Sequence, residues 1–301
     1  MEQRIAENSW KAWLLATRPK TLISAIIPVC IAAAWAFVHG WNDINILPLV
    51  LCFAFAIVMQ IDANFINDYF DFKRGNDNET RLGPKRACSQ GWIKPKSMFR
   101  AIILTTIIAS AIGFPLIFFG GYQLILLGLV CVAFCFLYTT HLSYWGLGDV
   151  LVLVFFGLVP VLGTYYLVAL PGSTVFNLDV VVSAINCGLV IDLLLIVNNF
   201  RDIDNDKAAG KKTLVVYIGK KNTLFLYCGI GVAVLLLGGL FLIHSNLMAC
   251  LLPLLFLPFH ISTFIEMKTI DKGKELNKVL GKTARNIFIY GLLLSLGILL
   301  G

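Results

Sequence analysis

Long apolar runs separated by short polar segments dominate this chain of 301 residues. A helix needs about 20 consecutive apolar residues to cross a bilayer. Runs near that size recur nine times and predict helices at Thr21–Val38, Ile44–Asn67, Ser97–Phe119, Tyr122–Thr140, Gly148–Leu170, Asp179–Phe200, Asn222–Ile243, Leu247–Glu266 and Ala284–Leu300. Gly120-Gly121 separates the third from the fourth, and Pro171-Gly172-Ser173 follows the fifth. His244-Ser245-Asn246 divides a long uncharged stretch into the seventh and eighth. The expected fold is an all-α polytopic membrane helical bundle, with residues 1–301 forming a single domain.

Composition agrees with that pattern. The chain is 58% hydrophobic and 14% charged, where soluble domains carry about 25% charged residues. The first run follows Arg18-Pro-Lys20 and lacks a small-residue cleavage site, so no cleavable signal peptide is expected. Seven of the eight cysteines fall in apolar runs, only Cys88 lies in a polar loop, and no CxxC pair exists. Neither a disulfide framework nor a zinc site is expected.

The 24 Lys and Arg residues give an orientation. With the N-terminus in the cytoplasm, Arg4, Lys11, Arg18 and Lys20 lie inside. All the others fall in the second-to-third, sixth-to-seventh and eighth-to-ninth loops, and the outer loops carry none. This positive-inside pattern predicts a multi-pass protein of a bacterial cytoplasmic (inner) membrane, with the C-terminus on the outer side. Orientation accounts for the basic loops, so the lipid bilayer is an expected partner and nucleic acid is not.

Against this apolar background stand two segments rich in Asn and Asp, NFINDYFDFKRGND (64–77) and NNFRDIDND (198–206). Each closes a long apolar run at the cytoplasmic side, and a basic loop follows. Helix C-terminal ends favour cations. Helical spacing puts Asn64, Asp68 and Asp71 on one face, and Asn198, Asp202 and Asp206 on another. Two such faces around one cavity would crowd carboxylates that repel one another without cations. Mg²⁺ carrying a diphosphate suits such hard oxygen ligands. The expected metal ligands are Asp68, Asp71, Asp77, Asp202 and Asp206, with Asn64, Asn67 and Asn198 as polar contacts for the bound group. Arg81, Arg86, Lys211 and Lys212 are close enough in sequence to complete a diphosphate clamp. Removing one acid is expected to leave folding largely intact, because it relieves repulsion. Asp62 and Asp192 lie deeper, either as functional acids or as hydrogen-bonded helix contacts. Asp149, at the start of the fifth run, either orients a substrate hydroxyl or caps its helix.

These residues carry a resemblance. Asn67-Asp68-x-x-Asp71, the later Asn198-x-x-x-Asp202-x-x-x-Asp206 and nine spans resemble the UbiA superfamily of intramembrane prenyltransferases. The segments RLGPKR (81–86), GLGDVLVLVFFGLVPVLGTYY (146–166) and NNFRDIDNDKAAGKKTL (198–214) resemble its naphthoate branch, the MenA type of menaquinone synthesis. The superfamily pattern places an acid four residues after Asp71, where this chain has Gly75; in the naphthoate branch Asp77 substitutes for it. The resemblance implies Mg²⁺-dependent transfer of a prenyl group from polyprenyl diphosphate to 1,4-dihydroxy-2-naphthoate, with loss of CO₂ and diphosphate. It implies catalytic roles for Asp68, Asp71, Asp202 and Asp206, and it leaves Arg201 or another basic residue to read the acceptor carboxylate. Other acceptors of the superfamily, such as 4-hydroxybenzoate, homogentisate or haem, are alternatives. A divalent-cation transporter would also use intramembrane acids, but it would need an acidic path through the outer half. A CDP-alcohol phosphotransferase would compress its acids into one motif, whereas these segments stand about 130 residues apart.

Overall fold

The structure is a computed structural model describing residues 5–40, 44–75, 81–169 and 177–301. Among the described residues, eight helices are long and apolar enough to cross a membrane, and a bent pair makes a ninth span. In chain order a short helix α1 (Trp10–Ala16) leads into α2 (Ile23–His39). There follow α3 (Ile46–Lys73), α4 (Pro95–Gly120), α5 (Gln123–Thr140) and α6 (Gly148–Val168). The last four are α7 (Leu178–Ala208), α8 (Leu214–His244), α9 (Leu247–Ile270) and α10 (Leu276–Leu300). All nine expected runs are helices.

The ends differ from expectation for identifiable reasons. α7 continues past Phe200 to Ala208, so Asp202 and Asp206 are helical residues rather than loop residues. α8 begins at Leu214, but Gly219 at φ +77° breaks it near the expected start of the span. α10 gains two turns of polar sequence at its N-terminal end, which makes the shortest expected span a full 25 residues. Before α2 the chain bends by 49° through Arg18 and Pro19.

α7 is the central element and the most deeply buried of the spans. It packs against α2, α6, α8 and α10. α3 packs against α2, α4, α5 and α6, so α2 and α6 bridge the two acid-bearing helices. The α6–α7 contact needs glycine. A Cβ on Gly157 would lie 2.5 Å from the Ala184 carbonyl oxygen, and one on Gly188 2.9 Å from that of Leu153. Helices in lipid associate through such close backbone approach. The same stretch of α6, Leu153–Leu158, widens into a π-type turn, a feature frequent beside functional sites.

Asp62 takes the helix-contact role. It is fully buried in α3 and accepts hydrogen bonds from the α4 hydroxyls of Thr105 at 2.5 Å and Thr106 at 2.8 Å.

Candidate functional site

A cavity of 1390 Å³ opens between α3, α5, α6 and α7. One stripe of α3 faces it: Cys52, Ala56, Gln60, Ala63, Asn67 and Asp71. So does one stripe of α7: Ile191, Leu195, Asn198, Asp202 and Asp206. Spacings of three and four residues keep each stripe on a single helix face. Both stripes begin apolar and turn polar toward the C-terminal end. The two acidic segments therefore meet at one end of one cavity, as expected.

The three motif acids on the cavity wall, Asp71, Asp202 and Asp206, each have a basic partner. Asp71 pairs with Arg86 at 2.6 Å, and Arg86 also donates to the Asn67 carbonyl at 2.5 Å. Asp206 pairs with Lys211 at 3.6 Å, whose ammonium also lies 5.1 Å from the centre of the Tyr144 ring. Asp202 is held by Arg201 through two bonds, Nε to Oδ1 at 2.9 Å and Nη2 to Oδ2 at 2.5 Å. Thr139 donates its hydroxyl to Asn67 at 2.6 Å, fixing that amide at the end of α3. Arg81 lines the same cavity.

Four expected site residues are turned elsewhere. Asp68 is not presented as a metal ligand, because both its oxygens accept backbone N–H groups, from Ala87 and Cys88, each at 2.9 Å. It is only 1% exposed and lies off the cavity wall, where it anchors the turn after Arg86. Asn64 does not contact the cavity either. At its depth the turn before α2 covers the helix face, and its amide donates to the Thr17 carbonyl at 2.9 Å and the Thr21 hydroxyl at 3.0 Å. Arg201 is 3% exposed and is not positioned to read a substrate carboxylate. Besides Asp202 it binds the side-chain oxygens of Asn198 at 2.7 Å and Asn277 at 2.8 Å. Lys212 is exposed and off the cavity; its backbone N–H donates to the Tyr144 carbonyl at 3.0 Å. Asp77 lies outside the described residues.

Asp149 does line the cavity and does not cap α6. Its Oδ1 is buried without a hydrogen-bond partner, as is Oδ1 of Asp192 on α7.

Other residues at the site carried no sequence signal of their own. Arg18, Lys20 and Lys85 line the cavity, although position beside a span accounted for their charge. Asn277, at the start of α10, accepts from Arg201 and donates to the Leu82 carbonyl at 2.8 Å. The loop after α3 thereby lies directly on α7. A Cβ on Gly83 would stand 2.7 Å from Arg201 Nη2.

The donor set at the polar end consists of carboxylate and amide oxygens. Among the described residues, no three His, Cys, Asp or Glu side chains gather as a metal cluster. Oxygen donors are the kind that Mg²⁺ takes, one or two carboxylates at a time, with phosphate oxygens and water completing its shell.

The family model described as "UbiA prenyltransferase family" matches residues 25–292. The chain is 31% identical to the 1,4-dihydroxy-2-naphthoate octaprenyltransferase of Haemophilus influenzae, over 99% of each chain. It is 36% identical to the enzyme of the same name from Escherichia coli, over 73% of this chain and 72% of that one. Its fold is similar to that of a UbiA homolog from Archaeoglobus fulgidus bound to DMAPP and Mg²⁺. The two superpose with a TM-score of 0.58 at 14% identity, over 94% of this chain and 99% of the other.

Proposed function

The chain belongs to the UbiA prenyltransferase family, and from that premise we propose that it transfers a polyprenyl group from polyprenyl diphosphate to 1,4-dihydroxy-2-naphthoate. CO₂ and diphosphate are released, and the product is the demethylmenaquinol of menaquinone biosynthesis. One observation carries this reading: Asp71 of α3 meets Asp202 and Asp206 of α7 at the polar end of a single, otherwise apolar cavity. The polar end suits a diphosphate, and the apolar length suits its hydrocarbon tail. The relatives named for dihydroxynaphthoate support the choice of acceptor.

Asp71, Asp202 and Asp206 would hold Mg²⁺, a choice supported by the ion named with the Archaeoglobus homolog. When bound, Mg²⁺ stabilises the negative charge that grows on a departing diphosphate. Arg81, Arg86 and Lys211 bind diphosphate oxygens. Arg86 and Lys211 can each exchange a carboxylate partner for a phosphate oxygen as the substrate arrives. Arg201 keeps its carboxylate and sets the position of Asp202. The apolar walls keep water from the allylic carbon while its C–O bond breaks and the bonding pair leaves with diphosphate. The ring carbon that bears the carboxylate attacks the allylic carbon. The carboxylate then leaves as CO₂, and its bonding pair returns to the ring. Asp149, on the cavity wall, accepts a hydrogen bond from an acceptor hydroxyl.

The protein works in the inner membrane of a bacterium, with its basic loops and N-terminus in the cytoplasm. A cation transporter is disfavoured, because the acids on the cavity wall gather at its polar end and the rest of the wall is mostly apolar.

The test is product formation. Purified protein receives 1,4-dihydroxy-2-naphthoate, a series of prenyl diphosphates and Mg²⁺, and the product is weighed by mass spectrometry. The expected mass is that of a prenylated naphthoquinol lacking the carboxyl group. Product from 4-hydroxybenzoate or homogentisate, with none from the naphthoate, would overturn the acceptor and keep the family chemistry.

A further inference from the structure

A corner of the fold outside both acidic segments reaches the same cavity. The chain turns sharply between α1 and α2, and Arg18 occupies that turn at φ +50° and ψ +68°. This left-handed conformation is unfavourable for a residue with a Cβ, so its neighbours must impose it. They do so with several bonds. The Arg18 N–H donates to the Leu15 carbonyl at 3.2 Å. The Arg18 carbonyl accepts from the Thr21 N–H at 2.8 Å and the Thr21 hydroxyl at 2.9 Å. Asn64 of α3 then ties Thr17 and Thr21 together from the other side. A strained residue held by redundant contacts is a recurrent device of binding sites.

One nitrogen of the guanidinium held in this way is left unsatisfied. Arg18 lines the cavity, yet its Nη2 is buried with no hydrogen-bond partner. Two further guanidiniums, those of Arg86 and Arg81, lie within electrostatic reach. Arg86 and Arg81 repel the Arg18 charge, while Asp68 and Asp71 attract it. Neither acid relieves it by a direct bond. Both Asp68 oxygens accept backbone N–H groups, and Asp71 is paired with Arg86. A buried N–H donor without a partner costs free energy, and an anionic oxygen entering the cavity would remove that penalty.

We propose that Arg18 is a substrate-oxyanion ligand, whose open Nη2 edge receives an anionic oxygen of the prenyl diphosphate or of the acceptor carboxylate. The assignment rests on the prenyl-transfer reading and adds to it a recognition residue from the α1–α2 turn. Its position explains why Asn64 serves the turn instead of the cavity: Asn64 is a positioning residue for Arg18.

Two variants test the assignment in the full-length purified protein, Arg18→Gln and Arg18→Gly. The glycine variant removes the charge and relaxes the left-handed corner, so it remains informative if the glutamine variant misfolds. Ligand binding is read as the rise in thermal unfolding temperature with inorganic diphosphate and Mg²⁺, and separately with 1,4-dihydroxy-2-naphthoate. KM is then measured for each substrate. Loss of a charge-assisted contact should weaken one ligand by about tenfold to a hundredfold. If the diphosphate is the partner, its stabilising shift shrinks and the KM for prenyl diphosphate rises. If the carboxylate is the partner, the naphthoate shift shrinks, while 1,4-naphthalenediol, which lacks the carboxylate, is used equally by wild type and variant. Unchanged shifts and unchanged KM for both ligands in a folded variant would overturn the proposal and leave Arg18 as a structural corner. A wild type that responds to diphosphate but makes no prenylated product would instead sink the prenyl-transfer reading, and the variants would still decide the fate of Arg18.

Discussion

Arg201 grips the carboxylate of its own chain neighbour Asp202 with the Nε–Nη2 edge of its guanidinium, at 2.9 Å and 2.5 Å. The arginine side chain is wholly buried, and the aspartate faces the cavity. This pair changes what a mutation at Asp202 should do. If the carboxylates stood unpaired, removing one would relieve repulsion and spare the fold. With Arg201 already neutralising Asp202, removal strands a buried cation, and breaking such a pair costs about 3–5 kcal/mol. Asp202→Ala should therefore lower both turnover and the thermal unfolding temperature. Asp202→Asn, which keeps one acceptor oxygen, should lose turnover with a smaller thermal effect. Detergent-solubilised melting curves beside rate measurements separate the two. Equal melting temperatures for wild type and Asp202→Ala would show that the pair contributes nothing to stability.

Asp68 and Asp71 sit three residues apart and should fail differently. Asp71 faces the cavity, whereas Asp68 anchors the Ala87 and Cys88 N–H groups. Asp71→Asn should shift the Mg²⁺ concentration that gives half-maximal rate. Asp68→Ala should leave that concentration unchanged and lower stability by about 1–3 kcal/mol, since it exposes two buried donors. A large shift in Mg²⁺ dependence for Asp68→Ala would return Asp68 to the metal shell.

The sequence carried the spans and the two acidic helix ends, because apolar length and helical period are local properties. The use of each polar face was not local. Asn64, Asp68 and Asp71 fall on one stripe by spacing alone, yet the α1–α2 turn covers the first and the backbone after Arg86 takes the second. Arg18 was hidden for another reason. A basic residue beside a span is what topology requires anyway, so its charge carried no separate message until its cavity contact and unpartnered Nη2 were visible. Asn277 bonds Leu82, 195 positions away in sequence, and no local pattern encodes that.

Asn277 links the loop after α3 to the motif on α7, accepting from Arg201 and donating to the Leu82 carbonyl. Asn277→Ala should loosen Arg81 and Arg86 from the cavity and raise the KM for prenyl diphosphate more than that for the aromatic acceptor. Asn277→Asp keeps the acceptor for Arg201 and loses the donor for Leu82, so its effect should be intermediate. Hydrogen exchange of the loop amides reads the same change without turnover. An alanine variant with wild-type loop protection would show that the loop is held by other contacts.

Lys211 and Lys212 look interchangeable in sequence, and the backbone separates them. Lys211 reaches the cavity, lies 3.6 Å from Asp206 and packs over Tyr144. Lys212 points to solvent. Its N–H bonds the Tyr144 carbonyl, and its own carbonyl lies against Gly146, which sits at φ +78°. A Cβ on Gly146 would collide with that carbonyl, so the turn after α5 and the loop after α7 are locked in register with Lys211 facing inward. Lys211→Gln should then raise the KM for prenyl diphosphate by about tenfold, the size of one charge-assisted contact, with little change for the acceptor. Lys212→Gln should leave both values near wild type, because only a solvated charge is lost. Paired kinetics on the two variants decide the matter. A larger effect at Lys212 than at Lys211 would mean that the loop turns over when substrate binds, and that the diphosphate meets the face that now points to solvent.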